Sequence, residues 1–167
     1  ANHIAHKLRA AFPGGVLWAN PSQTDSMSIL SGFAAAYGED VSHLQDLESR
    51  AAAIRALLAA KKVLVILDDV QNSAQVRPLL PANTGKTAVI ITTRHELEIS
   101  DKMHRFEVTP FSAQQEEALD VFSHFLSAPT VRRWRKELKK IANILGHLPL
   151  AIALAAGQMI KKNTVLE

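Results

Sequence analysis

The sequence contains no cysteine, and this absence removes two classes of protein from consideration. Its 167 residues offer no thiol for a disulfide framework or a thiolate zinc site. Long apolar runs are absent too, since the longest nearly apolar stretch, residues 148–160, is interrupted by Gln158. Because a membrane-spanning helix needs about 20 apolar residues, this stretch predicts a buried helix and no membrane segment.

The charge balance is too even to indicate a polyanionic partner. The chain has 19 Lys and Arg against 16 Asp and Glu, which gives a net charge of +3. With 47% hydrophobic and 21% charged residues, the composition is typical of a globular protein. A charge this small does not by itself predict nucleic-acid binding.

Residues 63–67 form the most informative segment, because five apolar residues run without polar alternation into two adjacent carboxylates. The run is rich in β-branched residues, which predicts a strand buried on both faces of a parallel sheet. Asp68 and Asp69 would lie at its carboxyl end, the edge where open α/β sheets bind ligands. One carboxylate there suits Mg²⁺, and the other can orient or deprotonate a water. The alternative is that both acids cap the next helix.

A second strand, predicted at residues 88–93, ends in Thr92 and Thr93 and is followed by Arg94. Because parallel strands end at one edge of a sheet, Arg94 is expected to share that edge with the two acids. Its planar fork suits phosphate oxygens, so the three side chains predict a metal and phosphate site. The alternative for Arg94 is an ordinary surface charge.

Helices and strands alternate up to residue 109, and only helices are predicted afterwards. This order indicates a parallel sheet with crossover helices, followed by a helical subdomain. We predict domains at residues 1–109 and 110–167. The predicted helices are 1–12, 24–37, one starting at Ser42, 73–80, and three beyond residue 112, the last starting at Pro149; the predicted strands are 16–19, 63–67, 88–93 and an edge strand at 105–109.

Two further segments are interpreted without a functional role. Residues 85–87, Gly-Lys-Thr, copy the end of a phosphate-binding loop, but Leu80 stands where that loop needs a glycine, so a surface turn is predicted. The basic run at residues 132–140 carries its charged and apolar residues on opposite sides, which is typical of a solvated helix face.

Taken together, these segments resemble the NB-ARC domain of the STAND class of P-loop NTPases. Residues 62–70 are similar to the family's Walker B strand, and residues 89–94 are similar to its sensor-1 strand ending in Thr-Thr-Arg. Residues 146–151, Gly-His-Leu-Pro-Leu-Ala, resemble its Gly-Leu-Pro-Leu motif, although a simple helix–loop–helix corner is the alternative. The resemblance implies an α/β, P-loop NTPase-like parallel sheet followed by a small all-helical subdomain.

The resemblance implies a role for each matching residue. Asp68 would hold Mg²⁺ on the nucleotide phosphates, and Asp69 would orient or activate the hydrolytic water. Arg94 would sense the γ-phosphate. Pro149 and Leu150 would pack near the adenine and report the nucleotide state to the helical subdomain.

The resemblance also implies two parts that these residues do not contain. The Gly-rich phosphate loop of the family and the first strand, which leads into it, would precede residue 1. That strand would lie between the Walker B and sensor-1 strands. We therefore expect a fragment of a longer parent, with weak or no nucleotide affinity by itself.

The function implied for the parent is a cytoplasmic signalling switch with no membrane partner. It would bind ADP in an off state and ATP with Mg²⁺ in an on state, act as a slow ATPase, and self-associate through the NTPase module. Two alternatives stay open, a nucleotide-free scaffold for protein contacts and a DNA-associated AAA-like regulator. The modest charge makes nucleic acid the less expected partner.

Overall fold

A buried central strand organises the α/β part of the chain. In the computed structural model, which describes residues 2–82, 84–99, 103–112 and 116–161, β2 (Leu64–Val70) lies between β1 (Val16–Ala19) and β3 (Ala88–Thr93). Both neighbours run parallel to β2. All three strands therefore end at the same edge of the sheet, as the sequence predicts.

Both faces of β2 are covered by helices, which explains why its apolar residues do not alternate with polar ones. Val65 and Leu67 pack with the helices at Ser26–Ala35 and Leu47–Ala59, whereas Leu64 and Ile66 pack on the opposite face, with the helix at Asn2–Leu8. Each of these four side chains is fully buried, and such burial contributes about 1.5–3 kcal/mol per aliphatic side chain. The helices are α1 (Asn2–Leu8), α2 (Ser26–Ala35), α3 (Leu47–Ala59) and α4 (Ser73–Val76), with 3₁₀ turns at Arg9–Ala11 and Arg77–Leu79.

The start predicted for the third helix at Ser42 is wrong. The helix α3 begins at Leu47, after Asp46, whose carboxylate accepts a hydrogen bond from Ser49 N at 2.8 Å. Ser42 is held elsewhere, because its N–H and its hydroxyl both donate to Asp40, at 2.8 and 3.1 Å. A carboxylate in the N-cap position satisfies the free amides of the first turn.

The position implied for a further strand in the parent stays a prediction, because these residues do not contain that strand. Among the strands that are present, β2 and β3 are hydrogen-bonded neighbours. Direct pairing satisfies the backbone N–H and C=O groups of a strand that has no access to water. The predicted turn at residues 85–87, just before β3, is present, with Gly85 exposed at φ +72°.

After β3 the described chain forms only helices and loops, and the edge strand predicted at residues 105–109 does not form. Phe106 and Val108 are 87% and 95% exposed, so this segment has no surface on which to bury its apolar side chains. A separate apolar core contains the buried side chains of Phe122, Leu138 and Ile152. The helices are α5 (Glu117–Ser123), α6 (Ala128–Arg133), α7 (Arg135–Ile144) and α8 (Pro149–Lys161). The start of the first helix predicted beyond residue 112 falls partly on residues 113–115, which lie outside the described residues.

The predicted fold class, a P-loop NTPase-like parallel sheet followed by a helical part, is confirmed. The chain divides into two compact units, Ala1–Met103 and His104–Glu167. The functional division at residues 109 and 110 stays a prediction. Within the described residues, none of the helices has the length and apolar character to cross a membrane.

Candidate functional site

The two acids of β2 lie at an irregularity in the pairing of β2 with β3. Leu67 pairs with Ile91 and Val70 pairs with Thr93, so Asp68 and Asp69 together oppose a single residue, Thr92. An extra residue of this kind forms a bulge, which turns side chains away from the regular pleat. The bulge therefore aims two consecutive carboxylates at the loop edge of the sheet.

Thr92 stabilises this bulge through its side chain. Its Oγ1 donates to Asp68 Oδ1 at 2.6 Å and accepts a hydrogen bond from the backbone N–H of Asp69 at 2.9 Å. The hydroxyl thus replaces the backbone partner that the Asp69 amide loses where the ladder is interrupted. One threonine consequently fixes the position of both acids, which are each half-buried.

The backbone of Asp69 has a left-handed conformation, with φ at +56°. Asp and Asn tolerate this region better than most residues, but a side chain there still carries strain. Gln71 Nε2 donates to the carbonyl oxygen of Asp69 at 3.1 Å, which supports the turn from the other side. Strained residues that the surrounding structure holds in place are common at functional sites.

A third strand end also contributes to this edge. Ser22, in the loop after β1, places its Oγ 3.1 Å from Asp69 Oδ2 and 2.7 Å from Asn20 Oδ1. Further along, Gln75 Nε2 donates to the carbonyl oxygen of Pro21 at 2.9 Å. The loop after β1 is therefore attached at two points, to the end of β2 and to α4.

The loop after β3 is linked to the segment that follows β2. His95 Nε2 lies 3.2 Å from Gln71 Oε1, and Glu98 N donates to Ser73 Oγ at 2.9 Å. Gln75 also completes a capping box with Asn72 at the start of α4. The three loops at the carboxyl edge are thus joined by side-chain hydrogen bonds, and this network gives the acids a fixed setting.

The other predicted site residues make fewer contacts. Arg94 follows β3 directly and is exposed, and within the described part of the chain it forms no hydrogen bond or ion pair. Its guanidinium is therefore available to an external anion. Pro149 and Leu150 are the first two residues of α8, in the helical unit, and Leu150 is 72% exposed. The roles predicted for all five site residues stay predictions.

His147, just before α8, occupies an unfavourable position. Its φ is +55°, and its ring nitrogens are buried without a hydrogen-bond partner among the described residues. Its backbone is well bound, since its N–H donates to Ala142 O at 2.9 Å and its carbonyl accepts from Phe111 N at 3.0 Å. The backbone thus holds a conformation that glycine adopts at lower cost.

The oxygen ligands at the sheet edge suit a hard cation shared with phosphate. In the parts of the chain that the structure describes, no cluster of three or more His, Asp or Glu could hold a metal unaided. Mg²⁺ commonly takes one or two carboxylates and completes its shell with water and phosphate oxygens. Asp68 and Asp69 therefore fit a magnesium–phosphate complex better than a site made of protein ligands alone.

Two residues of this site were given no role from the sequence. The sequence pattern marks Thr92 only as part of the Thr-Thr-Arg end of a strand, and it does not mark Ser22 at all. The rule that places the ends of parallel strands at one edge applies to β1 as much as to β3. It would have directed attention to the polar residues after Ala19.

Comparison with known proteins identifies the family of this chain. The sequence profile of the NB-ARC domain matches residues 1–131. The chain belongs to the NB-ARC family. Its acid-tipped strand β2 and the Thr-Thr-Arg end of β3 both lie inside the matched region.

Curated relatives of this NB-ARC chain include much longer proteins. Regulatory protein AfsR of Streptomyces coelicolor is 35% identical over 98% of the chain, and AfsR of Streptomyces griseus is 32% identical over 98%. At4g11170 of Arabidopsis thaliana, whose name describes a candidate disease resistance protein, is 34% identical over 71%. The chain spans 17% of the length of each AfsR and 11% of the plant protein.

Membership of this family makes the chain part of a nucleotide-binding signalling module. The sheet edge that carries Asp68 and Asp69 is the candidate site for the phosphates of the nucleotide.

Proposed function

We propose that this chain belongs to a switch that binds ADP or ATP with Mg²⁺ and couples the nucleotide state to self-association. The observation that carries the proposal is the pair of acids at the bulge of β2, both fixed by Thr92 at the edge where parallel sheets bind ligands. The family membership supports the same reading. Because the curated relatives are much longer, the activity belongs to the full-length natural protein that contains this sequence.

Each site residue has a distinct task in this proposal. Asp68 holds the Mg²⁺ that neutralises phosphate charge, and Asp69 orients the water that attacks the γ-phosphorus. Arg94 binds the γ-phosphate, which its lack of a partner among the described residues supports. Pro149 and Leu150 contact the adenine.

ADP binding tests the metal role of Asp68. Calorimetry of the full-length protein is expected to detect ADP binding that strengthens with Mg²⁺, and Asp68→Ala is expected to abolish the Mg²⁺ dependence. Asp40→Ala is the matched control, because Asp40 is an exposed acid in the loop before α3. Binding that ignores Mg²⁺, or that Asp68→Ala leaves unchanged, would contradict the proposal and favour a nucleotide-free scaffold.

The comparison of ATP with ADP tests Arg94. Arg94→Ala is expected to weaken ATP binding about tenfold more than ADP binding, since only ATP carries the γ-phosphate and a charged hydrogen bond contributes about 1.5–3 kcal/mol. Arg77→Ala, at another exposed arginine, is the control. Equal losses for both nucleotides would remove the assigned role.

Self-association and location are further parts of the proposal. Sedimentation of the full-length protein is expected to give a larger species with ATP than with ADP. A sedimentation coefficient that does not depend on the nucleotide would contradict the coupling.

We also propose a cytoplasmic location, which the absence of cysteine supports.

A further inference from the structure

The loop after β1 brings a hydroxyl group to the second acid of the site. Ser22 Oγ lies 3.1 Å from Asp69 Oδ2, although 47 residues separate the two in sequence. Asp68 already receives the hydroxyl of Thr92. Each acid therefore has one hydroxyl partner, and the two partners come from opposite sides of β2, from the ends of β1 and β3.

Ser22 is itself held in place by Asn20. Asn20 Oδ1 accepts hydrogen bonds from Ser22 N at 3.0 Å and from Ser22 Oγ at 2.7 Å. Because the hydroxyl has a single hydrogen, it is shared between Asn20 Oδ1 and Asp69 Oδ2. This local turn fixes the serine side chain where it meets the carboxylate.

We propose that Ser22 is a positioning residue for Asp69, an inference that rests on the proposed function. Holding Oδ2 stops rotation of the carboxylate and directs Oδ1, which has no partner among the described residues, toward the attacking water. In hydrolysis the water oxygen bonds to the γ-phosphorus as the bond to the bridging oxygen of ADP breaks. The water's proton passes to Asp69 and then to solvent.

This role predicts an effect on turnover and none on affinity. Ser22→Ala is expected to lower kcat of the full-length ATPase about tenfold, because misdirecting a catalytic group slows the reaction and a hydrogen bond to a carboxylate is worth about that factor. The Kd for ADP with Mg²⁺ is expected to change less than about twofold, since Asp68 is untouched. Ser22→Thr keeps the hydroxyl and is expected to restore most of the activity.

Two further variants separate positioning from a structural role. Ser42→Ala removes a serine–aspartate hydrogen bond of the same length, 3.1 Å to Asp40 Oδ2, away from the site, and is expected to leave kcat unchanged. Adding Ser22→Ala to Asp69→Asn is expected to lower kcat no further, because both changes act through one carboxylate.

The outcomes distinguish this inference from the proposed function. ATP hydrolysis that Ser22→Ala leaves unchanged, or that it lowers equally in the presence of Asp69→Asn, would overturn the inference alone. An unsubstituted full-length protein without Mg²⁺-dependent hydrolysis would overturn the hydrolytic role of Asp69, and this inference with it. A loss of kcat in Ser22→Ala that Ser22→Thr reverses would support it.

Discussion

Thr92 donates its hydroxyl hydrogen to Asp68 over 2.6 Å, across the two strands whose backbone ladder is interrupted at this point. The same oxygen accepts the Asp69 amide, so the hydroxyl serves both acids. The threonine side chain thus supplies a hydrogen bond at the point where the backbones of β2 and β3 do not pair regularly. Deleting that oxygen is expected to affect both the fold and the site.

Thr92→Val keeps the shape of the side chain but removes its hydroxyl. We expect the free energy of unfolding to fall by about 1–3 kcal/mol, because the Asp69 amide loses its partner. The free energy of unfolding is expected to fall by less in Thr92→Ser, which keeps the hydroxyl. Urea unfolding of the three proteins measures the difference, and a serine variant less stable than the valine variant would contradict this account.

The adjacent acids are expected to respond oppositely to glycine and alanine. At Asp69, with φ +56°, the glycine variant should be more stable than the alanine variant by about 1 kcal/mol, since alanine is strained there. At Asp68, whose φ is not positive, alanine should be the more stable by about 0.5–1 kcal/mol. Denaturant unfolding of the four variants gives both differences, and the same ranking at both positions would refute the left-handed assignment.

Arg50 is a buried cation held mainly by carbonyl oxygens. Its guanidinium donates twice to Leu44 O, once to Met27 O and once to Ser31 Oγ, which ties α3 to α2 and to the loop between them. Arg50→Lys cannot make this fork and is expected to lower the free energy of unfolding by about 2–3 kcal/mol. Arg55→Lys, on the same helix but more exposed, is expected to cost less than about 1 kcal/mol. Similar losses in both would mean that the fork is not required.

Asp25, the N-cap of α2, gives the fold an acid-sensitive contribution. The Ser28 hydroxyl, followed by the Ser28 backbone N–H, lowers the pKa of this carboxyl below its ordinary value of 3.8. The folded state therefore gains stability above pH 3.8, and this gain is lost as the pH falls through the lower folded value. Asp25→Asn still caps the helix but cannot titrate. Between pH 5 and about pH 2, the midpoint temperature of thermal unfolding should fall less steeply for this variant than for the unsubstituted protein. The same dependence of the midpoint on pH in both proteins would contradict the prediction.

His147→Gly is expected to stabilise the start of α8. Glycine relieves the backbone strain at φ +55°, worth about 1 kcal/mol, and removes the buried ring nitrogens that lack partners among the described residues. His147→Ala removes the ring but keeps the strain, so it should be the less stable of the two. Hydrogen exchange of the α8 amides reports the change locally. Slower exchange in the alanine variant than in the glycine variant would be the opposite result.

The sequence predicts the frame of this site better than its details. The unbroken apolar run of residues 63–67 predicts β2. The strand that ends in Thr92 and Thr93 is predicted to run parallel to β2 and so to end at the same edge of the sheet as the two acids. Both follow from burial and chain direction, which are properties of whole segments. The bulge depends on the backbone angle of one residue, Asp69, and on a hydroxyl of another strand, so no local pattern contains it.

Two wrong predictions from the sequence have a similar origin. Ser42 has the form of a capping residue, but Asp40 binds it, and a better cap stands four residues later at Asp46. Residues 105–109 favour a strand by composition, yet a strand forms only beside a partner, and their apolar side chains stay exposed. In both cases the outcome was decided by neighbours that the segment itself does not reveal.

The order of the strands has a consequence for how the protein tolerates change. β1 and β3 each pair with β2 alone, so within the described sheet each has one margin whose amides and carbonyls are open to additional strands. The acids belong to the middle strand, away from both margins. Extension of the sheet at either side would therefore leave their surroundings intact, whereas a substitution that loosened β2 would disturb all three loops at once.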